Sequence, residues 1–167
     1  KSNLVPWSSY ITGISQGSNP NYDPLQILLK IAHSKGLEFH AWINPYRITT
    51  SNLTLDKLSP NNIAIEKPEW IFKYGKSYYL NPGIPEVSDY LTNVILEIVD
   101  NYDIDAIHID DYFYPSKVKG IAYTDDEQFK KYGANFNNIE DWRRNNITNF
   151  LENLNKKIKE HKYWVQL

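Results

Sequence analysis

The chain has 167 residues, no cysteine and a formal net charge of -2, with acidic and basic residues interspersed along it. Its length allows one domain with a sizeable core, and its charge balance gives no electrostatic footprint for nucleic acid. No run of about 18 apolar residues is present, so the sequence predicts no membrane span, and the lack of cysteine excludes disulfides, thiol nucleophiles and thiolate metal sites.

Two further features of the composition bear on the class of protein. Aromatic residues make up 14% of the chain, with 13 tyrosines among them. Aromatic faces stack on sugar rings as well as on each other, which weakly favours a carbohydrate ligand, although core packing and interface tyrosines are the more common explanation. Methionine is absent, even at position 1. We therefore interpret the chain as an excised segment, in which missing targeting signals carry no information.

Helices and short strands alternate in the predicted order of elements. Apolar residues at helical spacing, at strand spacing and next to turn residues define them. In chain order they are a helix at 24–35, a strand at 37–44, a hairpin at 70–83, a helix at 85–102, a strand at 105–110, a short helix at 126–132, a helix at 140–160 and the start of a strand at 163–167. Asp23 and Gly36 suit the ends of the first helix, and Gly75-Lys76 suits the hairpin turn.

Strands that alternate with amphipathic helices imply parallel β/α units and an α/β fold. Long polar excursions at 48–69 and 112–138 follow two of the predicted elements, while the other connections are short. Elaborated loops on one side are typical of (β/α)8 barrels, which need about 250 residues when complete. We therefore predict that residues 1–167 form a single domain, a partial TIM barrel; a small open α/β sheet is the alternative.

Alternate side chains of a strand share a face, so each predicted strand has an apolar face and a polar face. The apolar faces suit packing against helices, and the polar faces would point towards a barrel axis. The residues predicted on the polar faces or at polar strand ends are His40, Trp42, Asn44, Asn81, His108 and Asp110. The strand ends Asn44, Asn81 and Asp110 would then converge on one mouth, where barrel enzymes keep their sites.

Asp110 and Asp111 are the candidate catalytic residues. An aspartate after a strand often only caps a turn, but the doublet follows His108 and precedes a run of aromatic residues. One carboxylate of this kind serves glycoside hydrolysis as nucleophile or base, and a second, kept protonated, donates to the leaving oxygen. Adjacent residues rarely reach opposite sides of one sugar bond, so we expect the acid to come from elsewhere, outside this chain.

The other candidate substrate-binding residues flank these strand ends: Tyr46, Arg47, Tyr112, Tyr114 and Arg143. An arginine in the first turn of a helix is unfavourable, so the position of Arg143 predicts an acidic partner, whether Glu140, Asp141 or a group in the site. A surface salt bridge is the alternative. The histidines at 33, 40, 108 and 161 lack the i, i+4 spacing of a metal site, so we expect no metal and no cofactor. For His40 and His108, a structural hydrogen-bonding role is at least as good an explanation as a role in the site.

Several blocks of the sequence carry a resemblance to a known family. They are VPWSSYITG (5–13), FHAWINPYR (39–47), YYLNPGIPEVSDYL (78–91), IDAIHIDDYFYP (104–115) and WRRNNI (142–147). Together they resemble the bacterial glycosyl-hydrolase-10-like family. The resemblance implies a (β/α)8 barrel in secreted or envelope-bound proteins that hydrolyse glycosidic bonds, with peptidoglycan glycan strands as the substrate. It places the nucleophile or base on Asp110 or Asp111.

The sequence therefore predicts a glycoside hydrolase that acts on a poly- or oligosaccharide, or, alternatively, a non-catalytic glycan-binding domain. Family members begin upstream of Lys1 and continue beyond Leu167, so the segment alone is expected to lack part of the site and to be inactive. Uncovered strand edges would also favour self-association of the segment.

Overall fold

The computed structural model describes residues 21–49 and 53–167. Within these ranges the helices are α1 (Pro24–Ser34), α2 (Ile63–Glu66), α3 (Pro85–Asn101), α4 (Asp126–Tyr132) and α5 (Ile139–His161). The strands are β1 (His40–Trp42), β2 (Ile71–Tyr74), β3 (Ser77–Leu80) and β4 (Ala106–His108). The sequence block at 5–13 lies outside the described residues.

The predicted order of elements is confirmed, and the predicted strands are longer than the observed ones. Asp23 caps α1 by accepting a hydrogen bond from the backbone N–H of Gln26. The hairpin turns at Gly75, whose positive φ of 60° favours glycine. The first excursion is less irregular than expected, because it contains α2 and single turns of 3-10 helix at Leu55–Lys57 and Pro68–Trp70.

The strands β1 and β4 lie side by side and parallel, with Ala41 opposite Ile107. On the other edge of β4, Ala106 forms a parallel bridge with Gln166, at the strand predicted for the end of the chain. Neighbours in this sheet therefore follow each other in sequence, separated by helices. This arrangement is an α/β fold with a parallel sheet, as the sequence predicts.

Helices cover one face of this sheet. Ala41, Ile107 and Val165 are buried on that face, and α3 packs against α5 beside it. The buried apolar residues are Val87, Leu91, Val94, Ile95, Leu96, Ile98 and Val99 of α3 and Trp142, Phe150, Leu154 and Ile158 of α5. Apart from Leu96 and Trp142, these recur at the helical spacing from which the sequence predicts the two helices.

The opposite face of the sheet is uncovered in the described part of the chain. His40, Trp42 and His108 are exposed there, and the Trp42 side chain is 56% accessible. The alternation predicted from strand parity is therefore present, with apolar residues beneath helices and polar or aromatic residues on the open face.

Asp105 joins three segments at the start of β4. Its carboxylate accepts hydrogen bonds from the backbone N–H of Phe39 at 2.7 Å and from His33 Nε2 at 2.9 Å. Its backbone N–H donates to Phe39 O, and its carbonyl accepts from the N–H of Gln166. The Phe39 N–H and, second, His33 hold the pKa of the Asp105 carboxyl below its ordinary value. One side chain thus links α1 to the sheet.

Replacement of Asp105 by asparagine should lower the free energy of unfolding by about 1 kcal/mol at pH 7, because a charge-assisted acceptor is lost. Since the folded-state pKa is depressed, the stabilisation is present above the unfolded value of 3.8 and is lost as the pH falls through the folded value. Urea unfolding should therefore show that the difference in free energy of unfolding between wild type and variant is smaller at pH 3 than at pH 7. Asp103→Asn, at an exposed aspartate in the same connection, is the control. If this difference in free energy were the same at both pH values, the charge of the Asp105 carboxylate would not contribute to stability.

Candidate functional site

Asp110 connects the carboxyl ends of the two paired strands. Its Oδ2 accepts a hydrogen bond from Trp42 Nε1 at 3.2 Å, and its Oδ1 accepts one from the backbone N–H of Tyr112 at 3.2 Å. The Ile43 N–H also donates to His108 O, so the strand ends stay together beyond the last paired residues. Asp110 is half-buried and held in one orientation, whereas Asp111 is exposed.

The segment after β1 turns beside Asp110 and adds polar groups to the same region. Asn44 Oδ1 accepts a hydrogen bond from the backbone N–H of Arg47 at 3.2 Å, which fixes the side-chain amide. Its Nδ2 is buried and has no acceptor among the described residues. The Arg47 guanidinium lies 5.8 Å from the centre of the Tyr112 ring, a distance suited to a cation–π contact. Three predicted residues, Asn44, Arg47 and Tyr112, are therefore brought together.

The hairpin reaches the site because the chain after β1 pairs with it. Leu80 N donates to Tyr46 O at 2.8 Å, Ile48 N donates to Tyr78 O at 2.9 Å, and Arg47 forms an antiparallel bridge with Tyr79. The hairpin therefore lies beside the carboxyl end of β1. This pairing adds Tyr74, Lys76 and Tyr79 to the site, none of which the sequence analysis selected.

A cavity of about 330 Å³ lies between the hairpin and the loop after β4. Its lining residues are Asn44, Arg47, Tyr74, Gly75, Lys76, Tyr79, Tyr112, Tyr114, Pro115, Ser116, Val118 and Ile121. Tyrosine rings form much of the wall, the charged side chains are Arg47 and Lys76, and this lining contains no carboxylate. The volume falls in the range of small-molecule sites, which is about 300–1,000 Å³.

An ion pair between Arg143 and Asp125 holds the far end of the loop that forms this wall. Asp125 is 2% exposed and accepts two hydrogen bonds from the guanidinium, one of them from Nε at 2.9 Å. This contact raises the pKa of Arg143. We call this pair the Asp125–Arg143 clasp. It identifies the acidic partner predicted for Arg143, which is neither Glu140 nor Asp141; Asp141 pairs instead with Arg144.

Tyr123 extends the clasp to the rest of the loop. The Arg143 guanidinium lies 4.7 Å from the centre of the Tyr123 ring, which stacks on Tyr74 at 5.0 Å. The Tyr123 hydroxyl donates to Pro115 O, and the Val118 N–H donates to the Tyr74 hydroxyl at 2.8 Å. Burial raises the pKa of Tyr123, so its hydroxyl is neutral and a donor at physiological pH. The loop is therefore fixed both to α5 and to the hairpin.

Two residues predicted at the mouth lie elsewhere. Tyr46 is 1% exposed and packs edge-on against Phe113 and Phe150, and burial raises the pKa of its hydroxyl. It is a core residue, because the backbone pairing with β3 turns its ring inwards under the loop. The prediction that Tyr46 contacts substrate is therefore wrong.

Asn81 is the second predicted site residue that the structure buries away from the cavity. It is 3% exposed, and its Oδ1 accepts the Gly83 N–H at 2.9 Å, so it stabilises the turn before α3. A Cβ at Gly83 would lie 2.3 Å from the Trp142 ring, which shows how tightly this turn packs. Asn81 is therefore not part of the cavity lining, and the expected convergence of three strand ends is reduced to Asn44 and Asp110.

The remaining predicted residues lie on the open face or line the cavity. His40 is exposed and contacts Glu38 Oε2 at 2.9 Å, and His108 is exposed at the end of β4. Burial raises the pKa of the Tyr114 hydroxyl, which lines the cavity beside the clasp. Sequence analysis overlooked Asp125, although an aspartate directly before a predicted helix is a signal that a cap or an ion pair is present.

Metal-ligand clusters and membrane-spanning helices are both absent from the described ranges. These ranges contain no cluster of three or more histidine, aspartate or glutamate side chains placed to hold a metal ion. They also contain no helix with the length and apolarity needed to cross a membrane.

The chain is similar to bacterial proteins named as glycosyl hydrolases. It is 47% identical to glycosyl hydrolase YngK of Bacillus subtilis (strain 168), over 96% of its own length and 32% of that protein. It is 38% identical to glycosyl hydrolase DigH of Escherichia coli (strain K12), over 99% of its own length and 39% of that protein. The chain thus spans between 32% and 39% of the length of these curated relatives.

The solved structure of alpha-L-fucosidase isoenzyme 2 from Paenibacillus thiaminolyticus matches 82% of the chain and 20% of that protein, at 20% identity and a TM-score of 0.45. This likeness is too distant to support an argument. The family model described as glycosyl hydrolase-like 10, in contrast, matches residues 1–167. The resemblance found in the sequence is therefore confirmed, and the chain belongs to the glycosyl hydrolase-like 10 family.

Proposed function

We propose that this chain forms part of a glycoside hydrolase and that Asp110 is one of its two catalytic carboxylates. The position of Asp110 carries the proposal: it ends a parallel strand, is held by Trp42 and Tyr112, and lies next to a segment that lines an aromatic cavity. Family membership and the names of the relatives support the reaction class.

The proposal includes a partial (β/α)8 barrel. Its support is the sheet of β1, β4 and Gln166, in which strands are adjacent in sequence order, helices cover one face, and His40, Trp42 and His108 lie on the other. In a closed barrel the second face would be the interior, and the carboxyl ends of the strands would carry the site. The relatives are roughly three times longer than the chain, so the proposed domain extends beyond residues 1–167.

In this mechanism the Asp110 carboxylate acts as nucleophile, or as the base that activates water. Asp111 is exposed and takes no part in the hydrogen bonds that hold Asp110, so we assign it no direct role. We place the general acid on a segment outside the chain, because adjacent residues such as Asp110 and Asp111 rarely reach opposite sides of one sugar bond, where the second carboxyl is needed.

The proposed substrate is a bacterial cell-wall glycan or a related polysaccharide. The support is the family resemblance and the tyrosine-rich cavity, because aromatic faces suit sugar rings. A polymer of the cell wall lies outside the cytoplasm, so the protein would act in the cell envelope or after secretion.

A non-catalytic glycan-binding domain is the second candidate function. One observation favours it: the cavity lining contains tyrosines and cations but no carboxylate. In that case Asp110 would only hold Trp42 and the loop in place.

Asp110→Asn in the intact protein should lower the rate of reducing-end release from cell-wall glycan by at least about 10²-fold, while glycan binding persists. Asparagine matches aspartate in shape but cannot act as nucleophile or base. Thermal unfolding of the variant checks that the fold survives, because asparagine keeps only one of the two acceptor oxygens that Trp42 and Tyr112 use. Asp111→Asn is the comparison, and a larger loss there would transfer the role to the neighbour. No cleavage by the unmutated protein would support the binding function instead.

The Asp125–Arg143 clasp should contribute more to stability than the adjacent exposed pair. Arg143→Gln leaves a buried carboxylate unpaired and should lower the free energy of unfolding by about 3 kcal/mol. Arg144→Gln removes a cation from the same helix turn, but its pair with Asp141 is exposed, so the loss should stay below about 1 kcal/mol. Denaturant unfolding measures both losses.

Adding Asp125→Asn to Arg143→Gln should recover part of the loss, because the unpaired charge disappears. Equal losses for Arg143→Gln and Arg144→Gln would show that the clasp does not hold the loop.

A further inference from the structure

The cavity presents hydrogen-bond donors and positive charge. Arg47 and Lys76 line it, and neither takes part in an ion pair within the part of the chain that the structure describes. Both residues are exposed, and no carboxylate of the lining offsets their charge, so an anion in the cavity would be attracted to both. The charge of the lining therefore favours an anionic group.

Arg47 is held in position to make such a contact. Its backbone N–H donates to Asn44 Oδ1, its backbone pairs with Tyr79, and its guanidinium lies over the Tyr112 ring. A guanidinium stacked on an aromatic ring keeps its N–H edge available for a carboxylate, with which it can form two parallel hydrogen bonds. The backbone of Arg47 is therefore fixed, and its exposed guanidinium contacts the Tyr112 ring before any ligand binds.

Lys76 faces the same cavity from the hairpin. It follows Gly75, whose positive φ sets the turn, and Ile121 of the opposite loop approaches within 3.7 Å of a Cβ built on Gly75. The hairpin tip is therefore packed against the loop, and the lysine stem starts from a fixed point on the cavity rim.

Asn44 supplies an independent sign that an acceptor belongs in this region. Its Oδ1 is used by the Arg47 N–H, and its Nδ2 is buried with no acceptor among the described residues. A buried donor without an acceptor costs about 1–3 kcal/mol. An oxygen-rich ligand that enters beside Asn44 would provide the acceptor.

We propose that this cavity is a subsite for a sugar that carries a carboxylate, with Arg47 and Lys76 as the residues that select it. This inference rests on the proposed glycan function and specifies the sugar at one subsite. The tyrosine walls contact the ring, the two cations bind the carboxylate, and Asn44 donates to a ring substituent. A neutral sugar leaves both cations unpaired.

Binding of matched oligosaccharides to the intact protein tests the subsite. One pair contains N-acetylmuramic acid, and the other contains glucuronic acid alternating with N-acetylglucosamine; each is compared with its carboxyl-reduced form by calorimetry. At least one acidic form should bind roughly tenfold more tightly than its reduced form. Added salt should decrease this ratio of affinities, because it screens the charges. The pair with the larger ratio identifies whether the carboxylate is carried by a side substituent or by the ring.

Arg47→Gln should remove most of this preference while leaving the affinity for the reduced oligosaccharide within about twofold. Lys76→Gln should reduce it in the same direction, and it serves as a second variant if Arg47→Gln unfolds. Lys119 lies in the loop after β4 and does not line the cavity. Lys119→Gln should therefore leave the preference for the acidic form unchanged.

Equal affinity for acidic and reduced forms in both pairs, or no binding of any oligosaccharide, would overturn the subsite. An equal effect of Arg47→Gln and Lys119→Gln would show a general charge effect instead. Binding is measured without cleavage, so a protein that selects the acidic sugar but cleaves nothing would retain the subsite and refute only the hydrolase proposal.

Discussion

The parallel pairing of β1 with β4 is the contact on which the arrangement of the site depends. Parallel strands end at the same edge of a sheet, so the segments that begin at Trp42 and Asp110 start side by side although 68 residues separate them. The hydrogen bond between these two side chains joins the strand ends. At the amino ends of the two strands, the Asp105 carboxylate accepts hydrogen bonds from the Phe39 N–H and from His33 of α1, and so links the start of β4 to both.

From this edge the chain builds a cavity out of loops, and the loops are kept in place by contacts with rigid elements. The segment after β1 pairs with β3 and carries the hairpin to one side. The loop after β4 is attached on the other side, by the Asp125–Arg143 clasp to α5 and by stacked tyrosines to the hairpin. Arg143 lies near the amino end of α5, where the helix dipole opposes a cation, and a bidentate pair with a buried carboxylate offsets that cost.

The chemistry of the site divides between its two parts. Asp110 lies at the sheet edge, where Trp42 and Tyr112 orient it. It is the proposed reacting group. The cavity next to it has tyrosine walls, two cations and a buried amide donor, and the proposal assigns it recognition of the sugar. A reacting group and a recognition pocket carried by adjacent loops of one sheet edge fit the architecture of α/β enzymes.

Local patterns in the amino-acid sequence are enough to predict the helices and strands and the apolar side of each. Helical and strand periodicity, Asp23 as a cap and Gly75 in a turn are local signals, so the order of elements, the helical spacing of the apolar residues in α3 and α5 and the place of Trp42 on the polar face of its strand followed from them. The contacts between loops, in contrast, are known only from the folded chain. Tyr46 and Asn81 looked equivalent to Asn44 in sequence, yet one is core and the other stabilises a turn. Burial of a loop residue and the choice of its partner depend on packing between segments far apart in the chain, which no local pattern encodes.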